Sequence, residues 1–109
     1  MAHAAQYDAA RFYADLRAEL AAFMAREMPD VPADEAHDTI THAFHLCQHY
    51  GMRTEAEITR LSHILVTFPR EFYYQPEYAW LHDLLVSPEP APARLDRISA
   101  CLGAAGDGR

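Results

Sequence analysis

Apolar residues recur every three or four positions along most of this chain, and prolines and glycines interrupt the pattern at intervals. No stretch alternates between apolar and polar residues at the two-residue period that a half-buried strand needs. With 109 residues, the chain has room for one modest core. We therefore predict an all-α fold: a single compact bundle of about five helices over residues 1–103, followed by a disordered Gly-rich tail over 104–109.

The first two predicted helices are separated by the proline-containing segment 28–32. The spacing predicts the first helix from Tyr7 to Met28. The second begins between Pro32 and Asp34 and ends at Gly51, where we expect left-handed backbone. The predicted inward stripe of the second helix consists of Ala36, Ile40, Ala43, Phe44, Cys47 and Tyr50.

A capping box predicts the start of the third helix. In Thr54-Glu55-Ala56-Glu57 the Thr54 hydroxyl can accept from the Glu57 backbone, while the Glu57 carboxylate reaches back to the Thr54 backbone. We expect Pro69 to stop this helix. Helices two and three then form an antiparallel pair, because the loop between them is short.

The rest of the chain predicts two further helices after an aromatic connector over residues 70–75. Pro76 can start the fourth helix, and the fifth is expected over Ala93–Leu102 with Gly103 ending it. We expect the large rings of Phe68, Phe72 and Trp80 inside the domain, and Tyr73 and Tyr74 exposed.

The charge balance narrows the class of partner. Sixteen acidic residues against nine basic ones give a net charge of −7, which repels nucleic acid and anionic membranes. The same charge favours a basic protein partner, although an acidic surface also serves solubility alone. The first residues lack the pattern of a signal peptide, and no apolar run is long enough to span a membrane, so we expect a cytoplasmic protein. Cys47 and Cys101 lie at apolar positions of different predicted helices, and we expect both to be buried, reduced thiols.

Three histidines form the most distinctive cluster. His42, His45 and His49 share one face of the second helix, with Asp38 beside them and the core stripe opposite. One straight helix cannot surround a metal with three ligands, so we predict no metal and no cofactor. We instead expect this face to contact a partner.

No motif supports catalysis. The chain has no Gly-x-Ser-x-Gly elbow, no His-Glu-x-x-His and no Gly-rich phosphate loop, and we predict that it is not an enzyme. Tyrosines supply large contact area with few rotors to immobilise. The predicted partner-binding residues are therefore Tyr73, Tyr74, His42, His45 and His49.

One resemblance covers about half of the chain, from residue 50 to residue 102. Its residues are Tyr50-Gly51-Met52-Arg53-Thr54-Glu55, then Ile58, Leu61, Phe68, Phe72 and Trp80, and finally Arg94-Leu95-Asp96-Arg97-Ile98. The pattern resembles small helical accessory proteins of proteobacteria, often encoded beside the spike, toxin and immunity genes of type VI secretion. The chain departs from it at Phe68-Pro69, where Leu-Gly is expected. The resemblance implies a chaperone, adaptor or immunity role and transfers no catalytic residue.

The sequence is compatible with three functions. The leading hypothesis is a non-catalytic accessory protein, an adaptor or chaperone that holds a secreted effector or its spike. The alternative is an immunity protein that neutralises a toxin, which acidity favours if the toxin is basic. A third is a small His-dependent metal-binding protein, which needs ligands from a second helix or subunit.

Overall fold

The computed structural model describes residues 8–107, and within that range it confirms the all-α prediction. The five α-helices there are α1 (Ala9–Glu27), α2 (Ala33–His49), α3 (Glu55–Leu65), α4 (Ala79–Leu85) and α5 (Ala91–Asp107). Two short 3-10 turns, Phe72–Tyr74 and Pro76–Tyr78, lie between α3 and α4. None of the helices that the structure describes is long and apolar enough to cross a membrane.

Helices α1 and α2 form an antiparallel hairpin. Asp8 caps α1, because its carboxylate accepts from the Arg11 backbone at 3.1 Å. Near the middle of α1, the Arg17 guanidinium donates to the His37 carbonyl at 3.1 Å and to the Thr41 hydroxyl at 2.8 Å. The ring of Tyr13, one turn before Arg17 on α1, packs 5.0 Å from the ring of Phe44, about one turn after Thr41 on α2. The two helices therefore run in opposite directions.

The predicted core stripe of α2 is confirmed. All six of its residues are buried, and Ile40 and Cys47 have no exposed surface. Gly51 has a φ of 82° directly after the helix, the left-handed backbone expected of a glycine there. That turn brings the chain back toward α2 for the start of the next helix.

The capping box of α3 is also confirmed. The Thr54 hydroxyl accepts from the Glu57 backbone at 3.1 Å, and the Glu57 carboxylate accepts from the backbones of Thr54 at 3.3 Å and Arg53 at 2.8 Å. The helix ends at Leu65, and the N–H groups of Thr67 and Phe68 then bond to carbonyls three residues earlier in a tighter turn. Pro69 prevents any further helix, because proline disfavours helical backbone in the residue before it. The Cys47 thiol lies 3.7 Å from the Ile58 carbonyl, and Ala43 and Leu65 line the same small cavity, so α2 and α3 are antiparallel as predicted.

The fifth helix extends beyond its predicted bounds. It runs over Ala91–Asp107, so Gly103 does not end it. A glycine inside a helix costs only about 1 kcal/mol relative to alanine and does not by itself stop one. A disordered tail stays a prediction for 108–109, which lie outside the described residues.

Arg94 connects α5 to the C-terminal ends of two other helices. Its guanidinium donates to the carbonyls of Tyr50 at 2.8 Å, Leu85 at 2.7 Å and Glu89 at 2.9 Å. The last carbonyls of a helix have no partner inside the helix and carry the negative end of its dipole. A single cation therefore satisfies the ends of α2 and α4 while it holds α5 against them.

Candidate protein-binding surface

The aromatic connector is held to the core by one ring and presents another to solvent. Phe72 is 1% exposed, and its ring packs 6.3 Å from that of Phe68 and 5.2 Å from that of Tyr73. Tyr73 is half-buried, whereas Tyr74 is 78% exposed. The sequence expectation of exposure is therefore right for Tyr74 and only partly right for Tyr73. Phe68 and Trp80, which were expected inside, are half-buried.

His42 is covered by this connector. Its Nε2 lies 3.0 Å from the Arg70 carbonyl and 3.4 Å from the Tyr73 hydroxyl. Because a carbonyl can only accept, Nε2 carries the hydrogen of that bond. His42 thus fixes the connector to α2, and it is only half-exposed rather than freely presented to a partner.

A shallow cavity of about 510 Å³ lies where the connector, α2 and α4 meet. We call it the aromatic cleft, and its lining residues are Leu46, His49, Tyr50, Tyr73, Tyr74 and His82. The rings contact one another in pairs: those of Tyr73 and Tyr74 lie 4.9 Å apart, and those of His49 and Tyr50 lie 5.0 Å apart. Both pairs meet edge to face, an arrangement that fixes ring orientation.

Three of the cleft residues, Leu46, Tyr50 and His82, were absent from the predicted partner-binding set. The Tyr50 hydroxyl lies 3.4 Å from His82 Nδ1, although 32 positions separate the two residues in the chain. Only the tertiary fold brings the residue that follows α2 close to a side chain of α4. Nothing in the local pattern around His82 distinguishes it from an ordinary helix histidine.

Burial and negative charge act together on the tyrosine hydroxyls of the cleft. The pKa of Tyr73 is raised above its ordinary value by burial, then by the Glu71 carboxylate and by Tyr74. Burial also raises the pKa of Tyr50, with a smaller contribution from Tyr73. Both side chains are therefore neutral phenols at physiological pH, available as hydrogen-bond donors and acceptors.

The five predicted partner-binding residues divide into two groups. Tyr73, Tyr74 and His49 line the cleft, and His42 contacts it through Tyr73. His45 is exposed but lies outside the cleft lining. Helical spacing placed all three histidines on one face, but it could not show that the connector would cover one edge of that face.

The histidine face does not assemble into a metal site in the part of the chain that the structure describes. No group of three or more His, Cys, Asp or Glu side chains there is placed to hold a metal ion. His42 directs Nε2 at a backbone carbonyl, and His45 and His49 have no convergent ligand from a second helix among these residues. Metal binding that draws ligands from another subunit stays untested.

A second concavity, of about 470 Å³, lies between α1 and α2. We call it the alanine groove because alanines make up half of its lining, which comprises Ala14, Ala18, Ala21, Ala25, Ala33 and Ala36 with Arg17, Met24, Pro29, Val31, His37 and Ile40. Arg17 already donates to α2, so the polar part of this wall is occupied within the domain. The groove holds no arrangement of acid, base and nucleophile.

The comparisons with known proteins give no relative for this chain. No protein-family model matches the sequence, and searches of curated proteins and of solved structures find no match.

Proposed function

We propose that this chain is a non-catalytic protein-binding accessory that captures its partner at the aromatic cleft. The observation that carries the proposal is Tyr74, a large ring that is 78% exposed beside a half-buried Tyr73. Tyrosine is enriched among the residues that dominate binding energy, because it buries much surface and has few rotors to immobilise. A ring presented on a turn that Phe72 and His42 hold in place loses little further freedom on binding.

The residues around Tyr74 also support protein binding at the cleft. The cleft combines apolar ring surface with hydroxyl and imidazole groups that can bond to a partner. Interfaces between proteins have this composition, with aromatic anchors at the centre and polar groups around them. The lining contains no serine, threonine, cysteine or lysine, and the pKa values of Tyr50 and Tyr73 are raised rather than lowered, so the site supports binding better than nucleophilic catalysis.

The resemblance to accessory proteins of type VI secretion suggests which kind of partner the chain binds. We propose an adaptor or chaperone role toward a secreted effector or a spike. An immunity protein that blocks a toxin is the second candidate, and the net charge of −7 favours it where the toxin is basic. The two roles share the binding surface and differ in the partner.

The experiment is a pull-down of the products of the adjacent genes with the tagged chain as bait. The wild-type chain is expected to retain one of them, and the variant with both Tyr73→Ala and Tyr74→Ala is expected to lose it. Helical circular dichroism should be unchanged, because neither ring is fully buried. The matched control is His45→Ala, which alters an exposed residue of α2 outside the cleft.

A growth assay and a secretion assay together separate the two candidate roles. Co-expression with the captured protein should relieve growth inhibition if the chain is an immunity protein, and should raise the amount of secreted effector if it is an adaptor. A folded double variant that still retains the partner at wild-type level would refute the proposed surface.

A further inference from the structure

We propose that the aromatic cleft receives an arginine side chain of the partner. This inference rests on the proposed function and names the chemistry that the cleft recognises. The lining contains five aromatic or imidazole rings and one leucine, and it includes no lysine or arginine. A guanidinium is planar, stacks on aromatic faces and presents five donors, so it matches a cavity of rings that also carry acceptors.

The electrostatics of the cleft favour a cation. The Glu71 carboxylate contributes to the raised pKa of Tyr73, so a negative charge lies close enough to act on that hydroxyl. The whole chain, at −7, adds a long-range attraction for basic partners.

Two arginines lie near the cleft, and neither occupies it. Arg94 lines the adjoining cavity, where its guanidinium donates to carbonyls at the ends of α2 and α4. Arg70 lines the concavity on the other side of His42. Since neither side chain belongs to the cleft lining, an incoming guanidinium meets rings and hydroxyls there.

Acceptors are available for the donors of the guanidinium. The Tyr73 oxygen receives at most one long hydrogen bond, at 3.4 Å, from the nitrogen of His42 that also donates to Arg70. The Tyr50 oxygen lies at the same 3.4 Å from His82. A hydroxyl oxygen has two lone pairs, so each tyrosine keeps acceptor capacity toward the cavity.

A peptide titration followed by NMR tests this assignment on the full chain. The probe is the blocked tripeptide acetyl-Gly-Arg-Gly-amide, and the matched control peptide carries citrulline, which has nearly the same shape without the charge. The arginine peptide is expected to shift the ring resonances of Tyr73, Tyr74 and His49 with an affinity about tenfold above that of the citrulline peptide. Raising the salt concentration should weaken binding of the arginine peptide alone.

Variants of the chain test whether the arginine peptide binds in the cleft. Tyr74→Ala is expected to weaken binding of the arginine peptide about fivefold to tenfold, and Glu71→Gln about twofold to threefold. Since Tyr74 and Glu71 are both exposed, neither change removes a core residue. His45→Ala should leave the affinity unchanged.

Equal affinity for the arginine and citrulline peptides, or resonance shifts that leave Tyr73 and Tyr74 unaffected, would overturn the inference. Its failure is distinguishable from failure of the proposed function. A partner that is lost on changing Tyr73 and Tyr74, but is retained when each arginine of its contact segment becomes glutamine, would leave protein capture standing and refute the arginine assignment. Loss of the partner in those arginine variants would support both.

Discussion

At the scale of the residue, burial separates the two cysteines of the chain chemically. Cys47 has no exposed surface, and its burial raises the pKa of the thiol from 9.0 to about 12. Cys101 is exposed on α5, so the prediction that both cysteines are buried is right for Cys47 and wrong for Cys101. Because the thiolate is the reactive form, Cys47 holds almost none of it at pH 8.

We therefore expect a thiol reagent such as DTNB to modify one cysteine per native chain at pH 8. In guanidinium chloride both should react, since unfolding returns the Cys47 pKa to its ordinary range. Cys101→Ser should abolish rapid modification of the folded protein, whereas Cys47→Ala should leave it intact. Rapid labelling of both thiols under native conditions would contradict the burial of Cys47.

The cap of α3 gives a second test at this scale. Thr54→Ala removes the acceptor for the Glu57 backbone, and we expect the free energy of unfolding to fall by about 1 kcal/mol. Glu55→Gln, in the same exposed turn, should change it by less than about 0.5 kcal/mol. Urea denaturation of the two variants measures both values, and equal stability of Thr54→Ala and wild type would show that the capping box is not stabilising.

At the scale of the element, sequence periodicity predicted what each helix buries but not where its neighbours lie. The stripe of α2 and the glycine turn after it follow from local spacing and backbone geometry, and both are confirmed. The roles of His42 and His82 depend on segments about 30 residues away, so spacing within one helix could not show them. The extension of α5 past Gly103 was missed because glycine is a weak stop signal without the left-handed turn that Gly51 has.

Arg94 is the element-scale feature with the largest expected effect on stability. Arg94→Ala leaves part-buried carbonyls at the ends of α2 and α4 without their donor, and we expect a loss of about 2–4 kcal/mol. Arg94→Lys should recover only part of it, because one ammonium cannot reproduce the fork of the guanidinium.

The matched control is Arg97→Ala, which removes a more exposed ion pair with Glu89 on the same helix. Its cost should stay below about 1 kcal/mol. Thermal melts followed by circular dichroism compare the three variants. A melting temperature for Arg94→Ala equal to that of Arg97→Ala would contradict the account of α5 docking.

At the scale of the whole molecule, the helices and the connector form one surface from distant parts of the chain. Charge composition and the absence of catalytic motifs are the basis for predicting a protein-binding function, and the tyrosines of the connector are the basis for predicting where the partner binds; both stay predictions. Composition could not predict the cleft itself, because its walls come from α2, the connector and α4. The alanine groove likewise depends on how α1 and α2 pack.

The proposed function depends on Tyr74 acting as an anchor for a protein partner. The most direct measurement is the dissociation constant of the captured partner, by isothermal titration calorimetry, for Tyr74→Ala beside His45→Ala. We predict a loss of affinity of at least about tenfold for Tyr74→Ala, since truncating an interface anchor costs upward of about 1–2 kcal/mol. His45→Ala should bind as wild type does. Wild-type affinity for a folded Tyr74→Ala protein would contradict the account.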